Sequence, residues 1–322
     1  MTPIVEIRNL KKRYKPVAGS SEKEGNLAVK GIDLTIEEGE IFSLLGPNGA
    51  GKTTAIGMMS GLLAPTEGDV TIGGHSIRKE PIAVKKLIGV VPQEIALYPE
   101  LSARRNLEFF GSLYGLEGAT LAARCDEVLE FIGLKDRQRE RIDSFSGGMK
   151  RRVNIGVGLL HKPRLVFMDE PTVGVDPQSR RSILDAVKTL NREGMTVIYT
   201  THYMEEADEL SNRVGIIDHG RLIAVGTQGE LIQKVGEKDT ILLKLDDEQI
   251  EAALDIAKAV PGIDSAAAEG DRLRLLASRG RRTLPAVLKA LDDAGHLPQS
   301  IEVIEPNLES VFLHLTGRAL RD

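Results

Sequence analysis

The stretch Gly46-Pro47-Asn48-Gly49-Ala50-Gly51-Lys52-Thr53-Thr54 constrains this chain more than any other. It fits G-x-x-x-x-G-K-[ST], the pattern of a phosphate-binding loop. Ile41 to Leu45 before it reads as a buried strand, and Thr53 to Leu63 after it as a helix. Glycines at 46, 49 and 51 let the backbone fold tightly round an anion, so that successive N–H groups point at it. The start of the following helix adds partial positive charge. Lys52 is placed to reach β- and γ-phosphates and the Thr53 hydroxyl to bind Mg²⁺. Asn48 and Thr54 belong to the same nucleotide-binding set. An ordinary Gly-rich turn would not need a strand before it, a helix after it and the full pattern between.

Two further stretches carry chemistry. Leu165 to Met168 is a continuous apolar run, as in a strand buried on both faces, and it leads straight into Asp169-Glu170. Asp169 at that strand end can hold Mg²⁺ beside the phosphate loop, through a water or directly. Glu170 can polarise an attacking water as general base. Ser144-Phe145-Ser146-Gly147-Gly148-Met149-Lys150-Arg151-Arg152 holds a Ser-Gly-Gly that opens a helix. Its backbone N–H groups and the Ser146 hydroxyl can bind an anion. Alone this would be an ordinary helix start; its place 23 residues before Asp169 makes it informative.

Strands and helices alternate from Ile4 to Val225, which indicates an α/β fold with a mainly parallel sheet. Ile4 to Ile7 is read as a strand, Lys15 to Asn26 as a loop, and Ser102 as the N-cap of a helix to Tyr114. The stretch 226–238 is polar and holds glycine, and is read as a linker between a domain over 1–225 and a second over 239–322. The second shows the order βαββαβ of a ferredoxin-like unit, then a helix with Leu308, Val311, Phe312 and Leu315 on one face.

Composition narrows the classes. With 322 residues there is room for a large domain and a small one. Only 4% of residues are aromatic and Trp is absent, so aliphatic side chains must fill the core. A net charge of −5 speaks against a nucleic-acid partner, which calls for a basic face. Cys125 is the single cysteine and is read as a small buried hydrophobe, in keeping with a reducing compartment. The N-terminus lacks the pattern of a signal peptide. No run approaches the ~18 apolar residues of a membrane span, so a chain soluble on its own is expected.

The residues in this order resemble the nucleotide-binding subunit of an ATP-binding-cassette transporter. Gly46 to Thr54 matches the Walker A motif, Gln93 the Q-loop glutamine, and Leu165 to Glu170 the Walker B strand with its catalytic glutamate. Phe145 to Met149 resembles the signature Leu-Ser-Gly-Gly-Gln, Val173-Gly174-Val175-Asp176 the D-loop, and His202 the switch histidine. Phe145, Met149 and Val175 depart from the family's Leu, Gln and Leu. Tyr14 is the match for the aromatic that stacks on adenine. The tail Pro306 to Gly317 resembles that of daunorubicin-resistance-type exporter ATPases.

The resemblance implies a P-loop cassette with a helical subdomain. Glu170, His202 and Gln93 would be its catalytic residues, with Gln93 also among the Mg²⁺ ligands beside Thr53 and Asp169. Ser146, Gly147, Gly148 and Asp176 would serve the ATP held by Lys52 of an opposite subunit. It implies a homodimer or a paired cassette subunit, separate multi-span membrane subunits, and a peripheral place on the cytoplasmic face of the membrane. The region of Phe109, Phe110 and Tyr114 receives a helix of the membrane subunit in that family; core packing explains these residues equally well. Lys150 to Arg152 is read as a contact to phosphates or a solvated face. The rival reading is a soluble cassette ATPase acting on ribosomes or DNA, and a third is an inactive ATP-binding regulator. One cassette and no sustained heptads disfavour the rival. Lys52, Glu170 and His202 together disfavour the third.

Overall fold

The computed structural model describes residues 3–15, 25–236 and 238–316. They form two compact units that divide after Thr227.

In the first unit, strands β1 (Pro3–Arg13), β2 (Leu27–Glu37) and β3 (Ile41–Leu45) lead to helix α1 (Lys52–Met59). Then come β4 (Glu67–Ile72), β5 (His75–Ser76), α2 (Pro81–Leu87) and β6 (Ile88–Val91). Helices α3 (Ala103–Leu113), α4 (Gly118–Phe131) and α5 (Gly147–Leu159) follow. The unit ends with β7 (Leu165–Asp169), α6 (Pro177–Arg192), β8 (Thr196–Thr201), α7 (Met204–Leu210), β9 (Arg213–Asp218) and β10 (Arg221–Gly226).

Six strands form one sheet in the order β10-β9-β3-β8-β7-β6. All its pairs are parallel except β10 on β9. Its central strands β3, β7 and β8 are buried at every residue, as continuous apolar and β-branched runs require. A second, antiparallel sheet has the order β2-β1-β4-β5. Helices α3, α4 and α5 enclose a separate apolar cluster that includes Leu107, Cys125, Leu129, Phe145 and Val153. Burial pushes the Cys125 thiol up to about 11, so it behaves as a small hydrophobe.

The register of the parallel sheet sets the site. Leu45 pairs with Thr201, Asp169 with Thr200, and Val91 with Met168. Neighbouring strands therefore end level, and the loops after β3, β6, β7 and β8 leave from one edge. In open α/β sheets, ligands bind at that carboxyl edge.

Several boundaries differ from the sequence reading. β1 runs on past Ile7 because Asn9 adopts a left-handed conformation (φ 46°) and makes a bulge, with its N–H donating to Asp33 Oδ1 at 2.8 Å. The bulge breaks the alternation without ending the strand. α5 starts at Gly147, as the Ser-Gly-Gly reading expects, and Ser146 caps it by accepting the Met149 N–H at 3.3 Å. α1 ends at Met59, four residues short of the expected end, where Gly61 (φ 72°) turns the chain.

The second unit holds α8 (Gln228–Val235), β11 (Asp239–Lys244), α9 (Ile250–Lys258), β12 (Ile263–Glu269) and β13 (Arg272–Ala277). It closes with α10 (Gly280–Asp293), β14 (Ser300–Ile304) and α11 (Leu308–Thr316). Its sheet has the order β12-β13-β11-β14 and is antiparallel throughout. Ile241, Leu243, Leu273 and Leu275 share one apolar cluster with α9 and α10. The stretch 226–238, read as a linker, instead contains α8, whose Leu231 is buried. The segment is short and polar, so one buried leucine left little periodicity to read.

Helix α5 lies backbone to backbone on β6. A Cβ at Gly89 would fall on the Gly158 carbonyl oxygen, far inside contact distance. Gly89→Ala should therefore lower the urea midpoint, by about 1–3 kcal/mol in stability. Gly229→Ala, which meets nothing within 4 Å, should leave it unchanged or slightly raised. Equal midpoints for the two variants would refute this packing.

Candidate functional site

β3 delivers the phosphate loop. Gly49 (φ 79°) and Gly51 (φ 106°) take left-handed conformations that few side chains accept. A Cβ at Gly46 would collide with the Ile217 carbonyl. Backbone bonds tie the loop to its neighbours: Gly46 N–H donates to Thr201 O at 3.3 Å and Gly220 N–H to Ala50 O at 2.8 Å. Lys52 is only 4% exposed. Its Nζ donates to Gly46 O at 2.7 Å and to Pro47 O at 3.1 Å, and pairs with Glu170 Oε1 at 2.9 Å.

Glu170 is the point of convergence. Besides Lys52, its Oε2 lies 3.4 Å from Gln93 Nε2 and 3.4 Å from His202 Nδ1. Three residues far apart in sequence thus meet one carboxylate. Glu170 itself sits at φ 45°, uncommon for a residue with a side chain. Its neighbour Asp169 is also buried, which raises the carboxyl above its ordinary range; hydrogen bonds from Thr200 and Thr53 work against that shift.

Thr200 joins the two carboxylates and was missed from sequence. Its hydroxyl donates to Asp169 Oδ1 at 2.6 Å and accepts the Glu170 N–H at 3.0 Å. In the sequence it is one β-branched residue in a β-branched strand, with nothing to mark its hydroxyl.

A cavity of about 440 Å³ opens on this cluster. Its walls bring Tyr14, Asn48, Gly49, Gly51, Thr53 and Thr54 together with Lys52, Gln93 and Glu170. The Tyr14 hydroxyl is 3.3 Å from Thr54 Oγ1; the residue is 41% exposed, and Lys12 Nζ lies over its ring at 5.5 Å from the centroid. Asn26 and Ala28 also line the cavity. The sequence reading placed Asn26 at the end of a loop and gave Ala28 no role; the Tyr14 N–H bonds Asn26 O, and residues 16–24 lie outside the described residues.

Ser146, Gly147, Gly148 and Asp176 do not line this cavity. They form a second group at the N-termini of α5 and α6. Asp176 caps α6, accepting the Ser179 N–H at 2.9 Å and its hydroxyl at 2.6 Å, which holds the carboxyl below its ordinary range. A Cβ on Gly148 would strike Ser179 Oγ, so this glycine lets the two helix starts meet. The departures from the family signature also pack together. Arg137 lies over the Phe145 ring, 5.4 Å from its centroid, and its Nη1 is 3.2 Å from Met149 Sδ.

Within Lys150 to Arg152, Arg151 departs from the sequence reading: it is buried and donates to Pro92 O at 3.0 Å, so it is neither a solvated face nor a phosphate contact. Arg152 is half-buried and its Nη1 donates to Ile132 O at 2.9 Å. Phe110 packs on the helical cluster, whereas Phe109 and Tyr114 are exposed and Tyr98 joins them, 4.9 Å from Phe109 between ring centroids. Among the described residues no three His, Cys, Asp or Glu side chains are grouped to hold a metal.

Thr200→Val keeps the shape of the side chain but removes a buried donor from Asp169 and an acceptor from the Glu170 N–H. It should cost about 1–3 kcal/mol in unfolding free energy, whereas Thr200→Ser, which keeps the hydroxyl, should lose markedly less. Indistinguishable melting of the two variants would remove the hydroxyl from this role.

Comparison with known proteins fits this geometry. Residues 29–173 match the model of the ABC transporter family. The linearmycin resistance ATP-binding protein LnrL of Bacillus subtilis (strain 168) is 49% identical over 296 residues, 91% of this chain and 95% of that one. The daunorubicin resistance ATP-binding protein DrrA3 of Streptomyces coeruleorubidus is 39% identical, over 94% and 95%. A solved dimeric ATP-binding cassette in a post-hydrolysis state, bound to ADP and phosphate, is 29% identical with a TM-score of 0.63, over 69% of this chain and 98% of that one. With its phosphate loop, paired carboxylates and His202 on one sheet edge, and relatives matched nearly end to end, this chain belongs to the ABC transporter family.

Proposed function

We propose that this chain is the ATP-hydrolysing subunit of an export transporter, working as a pair of cassettes on separate membrane subunits. The observation that carries the reading is the meeting of Lys52, Gln93 and His202 on Glu170. Export follows from the relatives, which are named for resistance to linearmycin and daunorubicin. Those relatives give no support to an action on ribosomes or DNA.

Each residue has a task. Tyr14 stacks on adenine while Gly46, Asn48, Gly49, Gly51 and Thr54 wrap the phosphates. Lys52 exchanges its carboxylate partner for phosphate oxygens, which frees Glu170. Glu170 then takes a proton from a water that attacks the γ-phosphorus, and the bond to ADP breaks. Gln93 and His202 hold that water and carboxylate in line. The donors Thr53, Asp169 and the Gln93 amide oxygen are hard oxygens, and one carboxylate with substrate phosphates is how proteins commonly hold Mg²⁺. When bound there, the ion would neutralise charge on the β- and γ-phosphates.

Ser146, Gly147, Gly148 and Asp176 serve the ATP of the facing subunit, which accords with their absence from the cavity around Lys52. The dimeric cassette among the structural relatives supports such a pairing. The exposed aromatics Tyr98, Phe109 and Tyr114 are the surface for a multi-span membrane subunit, which holds the chain peripherally on the cytoplasmic face. No described helix is long and apolar enough to cross a membrane. In this reading residues 1–225 are the cassette and 239–322 an accessory domain of ferredoxin-like type, supported by its βαββαβ order.

Two outcomes are expected. Glu170→Gln should bind ATP and pair, yet turn over about 10²–10⁴-fold more slowly; near-normal steady-state hydrolysis would reject the base. Mixing Lys52→Ala with Ser146→Arg subunits, each inactive alone, gives heterodimers with one doubly damaged and one intact site. Some ATPase should return if one intact site suffices. Sedimentation of Glu170→Gln with saturating ATP decides independently: a monomer there would reject the sandwich.

A further inference from the structure

Glu206, on α7 just after the switch histidine, is 2% exposed and has no part in the chemistry above. A carboxylate is rarely buried so completely without a structural or functional tie. Its Oε2 accepts the Tyr199 hydroxyl at 2.9 Å and the Thr201 hydroxyl at 2.9 Å. The Thr201 hydroxyl in turn accepts the Tyr203 N–H at 2.9 Å. Thr201 and Tyr203 are the residues on either side of His202. One buried carboxylate therefore clamps both flanks of the histidine, while the histidine itself reaches Glu170.

The other oxygen faces a different element. Glu206 Oε1 lies 3.6 Å from Arg180 Nε, and neither atom has a hydrogen bond. Arg180 belongs to α6, one turn after its cap Asp176, and its guanidinium stacks over Tyr203 at 4.5 Å from the ring centroid. The Tyr203 ring sits 4.1 Å from the His202 ring. A path of direct contacts thus runs from the start of α6 through Arg180 to both sides of His202.

We infer that Glu206 is a positioning residue for the switch histidine: through Thr201, it fixes the backbone that aims His202 at Glu170. The inference rests on the assignment of His202 to ATP hydrolysis. It predicts a loss in turnover without a loss in nucleotide binding, because Glu206 lies outside the walls of the ATP cavity.

The test uses the full chain with MgATP. Glu206→Leu, which removes the acceptor of both hydroxyls, and Thr201→Val should lower kcat about 10–100-fold, the scale of a misaimed catalytic group. ATP affinity, read by equilibrium dialysis, should stay within about twofold. Thr201→Ser, which keeps the clamp, should keep near-normal kcat. The Glu206→Leu loss should vanish in a His202→Ala background, where there is no histidine left to aim. Losses that multiply in the double variant, or wild-type kcat for Glu206→Leu, would overturn the inference. If Glu206→Leu does not fold, the Thr201 pair decides: equal kcat for Val and Ser would overturn it. Normal turnover by His202→Ala alone is the separate signature that the assignment of His202 has failed, and it takes this inference with it.

Discussion

The buried ion pair between Lys52 and Glu170 is the constraint on which the site depends. Both side chains are almost wholly withdrawn from solvent and their charged atoms are 2.9 Å apart. Removing one partner from such a pair leaves the other uncompensated, at a cost of about 3–5 kcal/mol. The fold must therefore bring the ends of β3 and β7 to the same level with one strand between them. β8 is that strand, and its last residues do the joining. Thr201 O accepts the Gly46 N–H, and Thr200 O accepts the Glu170 N–H.

That arrangement explains the unusual backbone at Glu170. A left-handed conformation in a residue with a side chain costs of order 1–3 kcal/mol and persists where its surroundings over-determine it. Here the Glu170 N–H is held by both the carbonyl and the hydroxyl of Thr200, and its carboxylate by Lys52, Gln93 and His202. The turn lifts the carboxylate out of the strand line and into the cavity. Asp169 stays in the strand and faces Thr200 and Thr53. Two adjacent acids thus gain two distinct environments.

The phosphate loop and the carboxylates could be read from residue type and from their place after a buried strand, whereas Gln93 and His202 were reached only through the family resemblance. The α/β order was equally open, since buried strands and amphipathic helices write different periods. What stayed hidden acts across the sheet. Thr200 and Thr201 look like β-formers, and nothing local marks their hydroxyls as partners of Asp169 and Glu206. Arg151 sits in a basic run that reads as surface, yet burial turns it toward the Pro92 carbonyl. Ala28 contributes position rather than chemistry: its carbonyl stands 2.9 Å from where a Gly51 Cβ would be. α8 was too short and polar for its single buried leucine to show.

Helix α5 shows why the hidden contacts matter to the legible ones. Its first turn carries Ser146 and Gly148, and Gly148 leaves no room between it and Ser179 on α6. In its middle, Arg151 and Asn154 donate to Pro92 O, and Asn154 accepts the Ala96 N–H, so the helix grips both sides of Gln93. At its end, Gly158 rests on the backbone of β6, the strand that leads to Gln93. Close-packed elements of this kind transmit displacement instead of absorbing it. Moving the Ser146 end relative to Gln93 must either break the bonds to Pro92 or carry the Gln93 loop along. The second group of residues, which does not touch the cavity, is in this way tied mechanically to one that does.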